Sequence, residues 1–247
     1  PNLGWRDVVL RDLVQRSIDA PVFIMNEANQ AALGERYFGA GRNSDFMLYV
    51  SSGVGIGGGI ISGGALVEGF SGFAGEVGHM TIDPGGLPCN CGNNGCWETV
   101  AGQRALFDRI KEAASAGRET SLLEATGSNL DRLEVGIISE AARQGDEVAL
   151  QALRETGEWI GAGMAGLMNV LNPQRVLFGG PLSLAHEFLL PVIRQSVAAH
   201  AWDWVHKQAD IVLADHGRDA TVMGGEATVY RAILNEPRSW LVHSTEE

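Results

Sequence analysis

The stretch RDVVLRDLVQRSI (residues 6–18) places apolar residues at positions 8, 9, 10, 13, 14 and 18, which share one face of a helix. Ala20-Pro21 ends that helix, and the apolar run Val22 to Met25 predicts a short buried strand. Asn26 is placed to cap a second helix, EANQAALGERYF (residues 27–38), which stops near Gly39 and Gly41. Phe46 to Ser51 then predicts an apolar strand, followed by short strands over Val54 to Ser62 and Ala65 to Glu68 around glycine turns.

Beyond residue 100 the pattern becomes helical, over Gly102 to Ala116, Glu134 to Arg143 and the long stretch Asp146 to Asn172. Gly157, Gly161, Gly163 and Gly166 recur along that last helix, a spacing of small residues that lets a neighbour pack closely. Strands over Arg175 to Phe178 and Ile211 to Leu213 flank a helix over Leu182 to His200, and a final helix covers Met223 to Leu234. The polar tail SWLVHSTEE is expected to be poorly ordered. Strands alternating with helices predict an α/β protein, with no tandem repeat and no low-complexity linker.

Composition narrows the function. The chain has 247 residues, 45% of them hydrophobic, enough for one large domain or two smaller ones. Its formal net charge of −12 repels phosphate backbones, so this chain is not expected to read nucleic acid by itself. Lys111 and Lys207 are the only lysines, and the arginines are scattered. No apolar run approaches bilayer length and no signal peptide precedes the first helix, so the expected compartment is the cytoplasm, with no membrane partner. The sequence starts at Pro1 rather than Met, and an N-terminal portion is expected to precede it.

The densest chemistry lies in GHMTIDPGGLPCNCGNNGCWE, residues 78–98, which holds all three cysteines of the chain. His79, Cys89, Cys91 and Cys96 offer one imidazole and three thiolates, a full tetrahedral set for zinc at bond lengths of about 2.0–2.3 Å. Gly85, Gly86, Gly92 and Gly95 allow the tight bends that so small a loop needs. A disulfide fits less well: three cysteines are odd in number, a Cys89–Cys91 bridge would be strained, and cytosolic thiols stay reduced. Three unliganded thiols are the remaining alternative. Four protein ligands leave no open position for an activated water, so this zinc is expected to be structural. Glu76 and Glu98 flank the cluster, and an imidazole with one nitrogen on a metal keeps the other as a defined donor. Two carboxylates and a fixed imidazole N–H make a receptor for sugar hydroxyls; each glutamate taken singly also reads as a solvated surface charge.

These residues resemble the ROK family, bacterial repressors and sugar kinases on an actin-like, ribonuclease H-like fold. The resemblance rests on GEVGH at 75–79 with CNCGNNGCWE at 89–98, on NEANQAALGE at 26–35, on SSGVGIGGGIISGG at 51–64 and on LNPQRVLFGG at 171–180. It implies a sugar held by Asn26, Glu27, Glu76, His79 and Glu98, with His79 serving both metal and sugar. It also implies two lobes, divided as 1–38 for the remainder of a small lobe, 39–223 for the large lobe with the zinc loop, and 224–247 for a helix returning to the small lobe plus the tail.

ROK kinases carry an aspartate, the general base, where this chain has Glu27, and usually a threonine where it has Val54. The family's first phosphate motif, an Asp-x-Gly-x-Thr hairpin, is not in this sequence. NEAN resembles the xylose-repressor type. The expectation is therefore a non-catalytic, sugar-sensing domain of a transcriptional regulator and a homodimer, reaching DNA through a winged helix-turn-helix upstream of Pro1. A fragment of an ATP-dependent sugar kinase is the competing reading, and a ligand-free dimerisation scaffold is a third.

Gly53-x-Gly55-x-x-Gly58 matches a dinucleotide fingerprint, yet GIISGGALV continues as strand and turn, so a hairpin is expected. Trp5 could stack on a sugar but reads first as packing, His186, His200, His206 and His216 as surface or helix-end residues, and Trp202 and Trp204 as core or subunit contact.

Overall fold

The structure, a computed structural model, describes Trp5 and residues 8–241; residues 1–4, 6–7 and 242–247, with parts of the first helix and of the tail predicted above, lie outside the described residues. In chain order the first half contains α1 (Leu10–Gln15), α2 (Glu27–Phe38), β1 (Met47–Ser52), β2 (Ile56–Ser62), β3 (Ala65–Leu66), α3 (Trp97–Ala101) and α4 (Gln103–Ser115). The second half contains α5 (Leu122–Ala125), α6 (Val135–Arg143), α7 (Glu147–Leu171), β4 (Arg175–Gly179) and α8 (His186–His200). Then come α9 (Asp203–His206), β5 (Asp210–Leu213), α10 (Ala220–Asn235) and α11 (Pro237–Leu241).

The five strands form one mixed sheet in the order β3-β2-β1-β4-β5. Hairpin β1–β2 is antiparallel, whereas β1–β4 and β4–β5 are parallel. Alternation along β1 assigns its two faces. Leu48 and Val50 enter a core with Val176, Phe178, Trp97, Leu106, Ile160, Met164 and Ile193. Met47 and Tyr49 point the other way, into a second core with Leu177, Leu33, Ala31, Ala32, Ala220 and Ala227. Such a central strand, buried on both sides, reads as a continuous apolar run.

Small residues set how closely the helices approach. Side chains on Gly57 and Gly59 of β2 would collide with Ala28 and Ala32 of α2, and one on Gly224 of α10 would collide with the Gln30 carbonyl. Helices α2 and α10 thus pack on each other, and α2 lies on the sheet. At the end of α2 the fully buried Glu35 accepts backbone N–H groups from Ala40 (2.9 Å), Asp215 (3.1 Å) and His216 (2.8 Å). Those bonds tie the helix to the turn after β5 and draw His216 partly inward. Of the four glycines on α7, Gly157 faces Val192, Gly161 faces Ser196 and Gly163 faces Trp97, while Gly166 is open.

Three expectations fail. Residues 22–25 form no strand, and Phe23 and Ile24 are exposed. A strand needs a ladder partner, and no described strand runs beside this segment. Helix α1 is shorter than its apolar pattern and has no buried residue, because no described element covers its apolar face. Trp202 and Trp204 are exposed as well, which removes the core reading for both.

Asp146 caps α7 and fastens the segment before α5 to it. Its Oδ1 accepts the Ala149 N–H (2.9 Å), and its Oδ2 accepts the Ser121 N–H (2.7 Å) and the hydroxyls of Thr120 and Ser121 (2.9 and 2.8 Å). Burial alone would raise its carboxyl pKa; the bonds from Ala149, Ser121 and Thr120 outweigh burial, and the net shift is downward. A depressed folded-state pKa contributes stability above the unfolded value of about 3.9, and that contribution is lost as pH falls through the folded value. Asp146→Ala is expected to cost about 1 kcal/mol in urea unfolding at neutral pH, the usual size of a lost cap, and the deficit should shrink on acidification below pH ~4.

Candidate metal centre and the carboxylate cluster around it

The metal loop is a miniature antiparallel pair held by backbone bonds. Ile82 and Asp83 donate to the Gly95 carbonyl (2.9 and 3.2 Å), Gly95 donates to Leu87 (2.8 Å), and Cys89 donates to Asn93 (2.8 Å). Gly95 has φ of +65°, and any side chain there would run into the Asp83 backbone. His79 ends a 3-10 turn, Val77–His79, so it arrives from the opposite side of the knot. Trp97 closes the loop: its N–H donates to Met80 (2.8 Å) and its indole donates to the Trp159 carbonyl of α7 (2.8 Å).

One ligand atom from each of His79, Cys89, Cys91 and Cys96 lies within 4.8 Å of the others. Cys91 Sγ is 3.6 Å from Cys96 Sγ, and Cys89 Sγ is 3.7 Å from His79 Nδ1. A tetrahedron with arms of about 2.3 Å has vertices about 3.8 Å apart, so the donor set fits zinc in both type and spacing. Burial pushes the Cys89 thiol up to about 12 and raises Cys96, whereas the Asn93 N–H lowers the exposed Cys91. Cys89 therefore holds its proton at neutral pH without a cation, and a coordinated metal would remove it outright.

The carboxylates continue outward from this cluster. Asn26 Oδ1 accepts the N–H groups of Ala28 and Asn29 (2.8 and 3.3 Å), as the predicted cap, while its Nδ2 donates to Glu76 Oε1 (3.2 Å). Glu76 Oε2 lies 3.8 Å from His79 Nε2, and Glu98 Oε1 lies 3.5 Å from His79 Nδ1. The imidazole thus stands between two carboxylates, its Nδ1 edge toward the thiols and its Nε2 edge toward Glu76. Glu98 Oε1 also accepts from the Cys89 thiol (2.9 Å). Asn26, Glu76, His79 and Glu98 form one connected row. Glu27, the first residue of α2, is exposed and makes no hydrogen bond to that row.

Several residues of this region escaped sequence reasoning. Asn29 is buried with its Oδ1 unpartnered among the described residues, close to where a Gly75 side chain would stand. Gly75 itself has φ of +94° and sets the turn that delivers Glu76. Gly55 leaves room for Glu98 Oε2, which any side chain there would displace. The Gly53–Gly55 stretch is the β1–β2 hairpin turn, closed by a 2.9 Å bond from Gly53 N–H to the Gly55 carbonyl, and it opens a strand rather than a helix. Beyond Glu98 a pocket of about 260 Å³ is walled by Val54, Leu87, Arg104 and Asp108. The four-residue spacing of Arg104 and Asp108 is the one signal of it in the sequence, and it reads first as a helix-face ion pair.

Relatives agree with this architecture. A glucokinase from Halalkalibacterium halodurans is 38% identical over 230 residues, covering 91% of this chain and 68% of that protein. A xylose repressor from Caldicellulosiruptor bescii is 38% identical over 238 residues, covering 96% of this chain and 59% of the repressor. The chain therefore spans well under the full length of both. A crystal structure of a ROK family glucokinase from Streptomyces griseus, in complex with glucose and AMPPNP, superposes with a TM-score of 0.86 at 39% identity, covering 93% of this chain and 74% of that one. The mixed sheet with helices on both faces is the actin-like fold of those sugar kinases. With the ROK family model matching residues 1–232, the chain belongs to the ROK family.

Proposed function

We propose that this chain is the sugar-sensing, effector-binding part of a ROK-type transcriptional regulator, with zinc as a structural cofactor at His79, Cys89, Cys91 and Cys96. The bound metal supplies a fixed charge and geometry to the loop. The chain's own residues do the recognition. Asn26 and Glu76 offer a donor and acceptors to sugar hydroxyls, and His79 offers the ring nitrogen that faces Glu76. Glu98 Oε1 lies 2.9 Å from Cys89 Sγ; with a metal on that sulfur the thiolate would have no proton to give, and the carboxylate would be left to accept from a sugar hydroxyl. Glu27 completes the ligand set from the first turn of α2.

The observation that carries the regulator half is Glu27. One extra methylene moves a carboxylate by about 1.5 Å relative to aspartate, and a misplacement of ~1 Å can lower a rate ~100-fold. Val54 at the β1–β2 turn points the same way, because it offers no hydroxyl to a phosphate. A sugar would act by population shift, favouring one arrangement of a dimer and so moving DNA-binding heads that lie outside this chain. Taking such an equilibrium from 1:99 to 99:1 requires ~5.5 kcal/mol of differential affinity.

A sugar kinase is the second reading, supported by the glucokinase likeness reported above. A coupled assay for ADP release by the protein carrying this chain, with ATP, magnesium and glucose or xylose, separates the two. No sugar-dependent turnover is expected. Sustained phosphotransfer would overturn the regulator reading.

A further inference from the structure

Glu98 has two faces. Its Oε1 turns to Cys89 and His79, while its Oε2 turns to Gly55 and the pocket beyond. That pocket is built unlike the row of polar groups on the near side. Val54 (77% exposed) and Leu87 (62% exposed) stand on it as bare apolar walls, one from the β1–β2 turn and one from the metal loop. Arg104 and Asp108, 3.7 Å apart on α4, form a polar wall with unspent hydrogen-bonding capacity. Apolar surface beside charged donors and acceptors matches a pyranose ring, which has C–H faces and a rim of hydroxyls. Size argues for an added ring rather than a separate ligand. At about 260 Å³ the space falls just short of the ~300–1,000 Å³ that houses a whole drug-sized molecule.

We propose that this pocket is a second sugar subsite, so that the effector is a disaccharide or short oligosaccharide with its first ring on the Asn26–Glu76–His79 side of Glu98. The inference rests on the sugar-binding reading above and specifies its substrate class. Glu98 serves both rings, accepting from the first with one oxygen and from the linkage or second ring with the other. Leu87 and Val54 cover the apolar face of the second ring, and Arg104 and Asp108 bond its hydroxyls.

Isothermal titration of the zinc-loaded chain with glucose, xylose, cellobiose, maltose and xylobiose tests this. At least one disaccharide is expected to bind ~10-fold or more tightly than its own monosaccharide, equivalent to about 1.4 kcal/mol. Leu87→Ala with Arg104→Ala should erase that advantage while leaving monosaccharide affinity and zinc content unchanged. Both side chains are exposed, so the variant should fold; Arg104→Ala alone, away from the metal loop, should lose part of the same advantage. Monosaccharides binding as tightly as every disaccharide, or variants that weaken both sizes equally, would overturn the subsite and leave the sugar-binding reading intact. Binding of no sugar of either size would overturn both.

Discussion

Replacing Cys96 with serine is expected to release the metal and to lower sugar affinity at least ~100-fold. Cys96 is fully buried, and it closes the set opposite His79, with its Sγ 3.6 Å from Cys91 Sγ. A serine hydroxyl keeps its proton at neutral pH, so three donors remain and the loop loses its fourth anchor. The sheet and the α7–α8 core are built mainly from residues outside the loop, with Trp97 and Val77 as its buried contributions, so most of their contacts survive the loss of that anchor. Far-UV circular dichroism should therefore stay close to wild type, while amide exchange across residues 79–98 speeds up. Zinc content by plasma emission and sugar titration on one sample read both effects. A variant that loses the metal and still binds sugar as the wild type does would break the proposed coupling.

Trp97→Ala should be the most destabilising single change in the metal-loop region, costing about 3–5 kcal/mol in chemical denaturation. The indole is completely buried, donates to the Trp159 carbonyl at 2.8 Å, and fills the groove that Gly163 leaves on α7. Truncation leaves both a cavity and an unpaired buried carbonyl. Trp97 also stands between Cys96, a proposed metal ligand, and Glu98, so the same variant should loosen zinc. The complementary change, Gly163→Ala, drives a methyl into the indole and is expected to cost about 1–3 kcal/mol. Measured together, the two substitutions should be strongly non-additive, because each relieves what the other damages.

Much of this was legible in the residues. The clustering of His79 with Cys89, Cys91 and Cys96 could be read because one imidazole and three thiols fall within eighteen residues. The helix start at Asn26 was legible from its capping chemistry, and the β1–β2 hairpin from glycines continuing into an apolar strand. Residues 22–25 misled because apolar composition alone does not say whether a neighbouring strand is there to pair with. The core reading of Trp202 and Trp204 failed for a related reason: size and hydrophobicity give a tendency to be buried, while the partner surface decides the outcome. Contacts across long sequence distances were hidden altogether. Glu35 reaching Asp215 and His216, Gly163 making room for Trp97, and Gly55 pressed against Glu98 are relations between segments, and local periodicity carries no record of them.

In the proposed mechanism a metal fixes His79 and its two flanking carboxylates in a sugar-binding pose. Its most direct test is a sugar titration of the wild-type chain as purified, after zinc removal by a chelator, and after zinc is added back. The predicted result is one zinc per chain, loss of binding in the zinc-free sample and its return on reloading. Equal affinity with and without the metal, or a chain that binds sugar while holding no zinc at any stage, would contradict it.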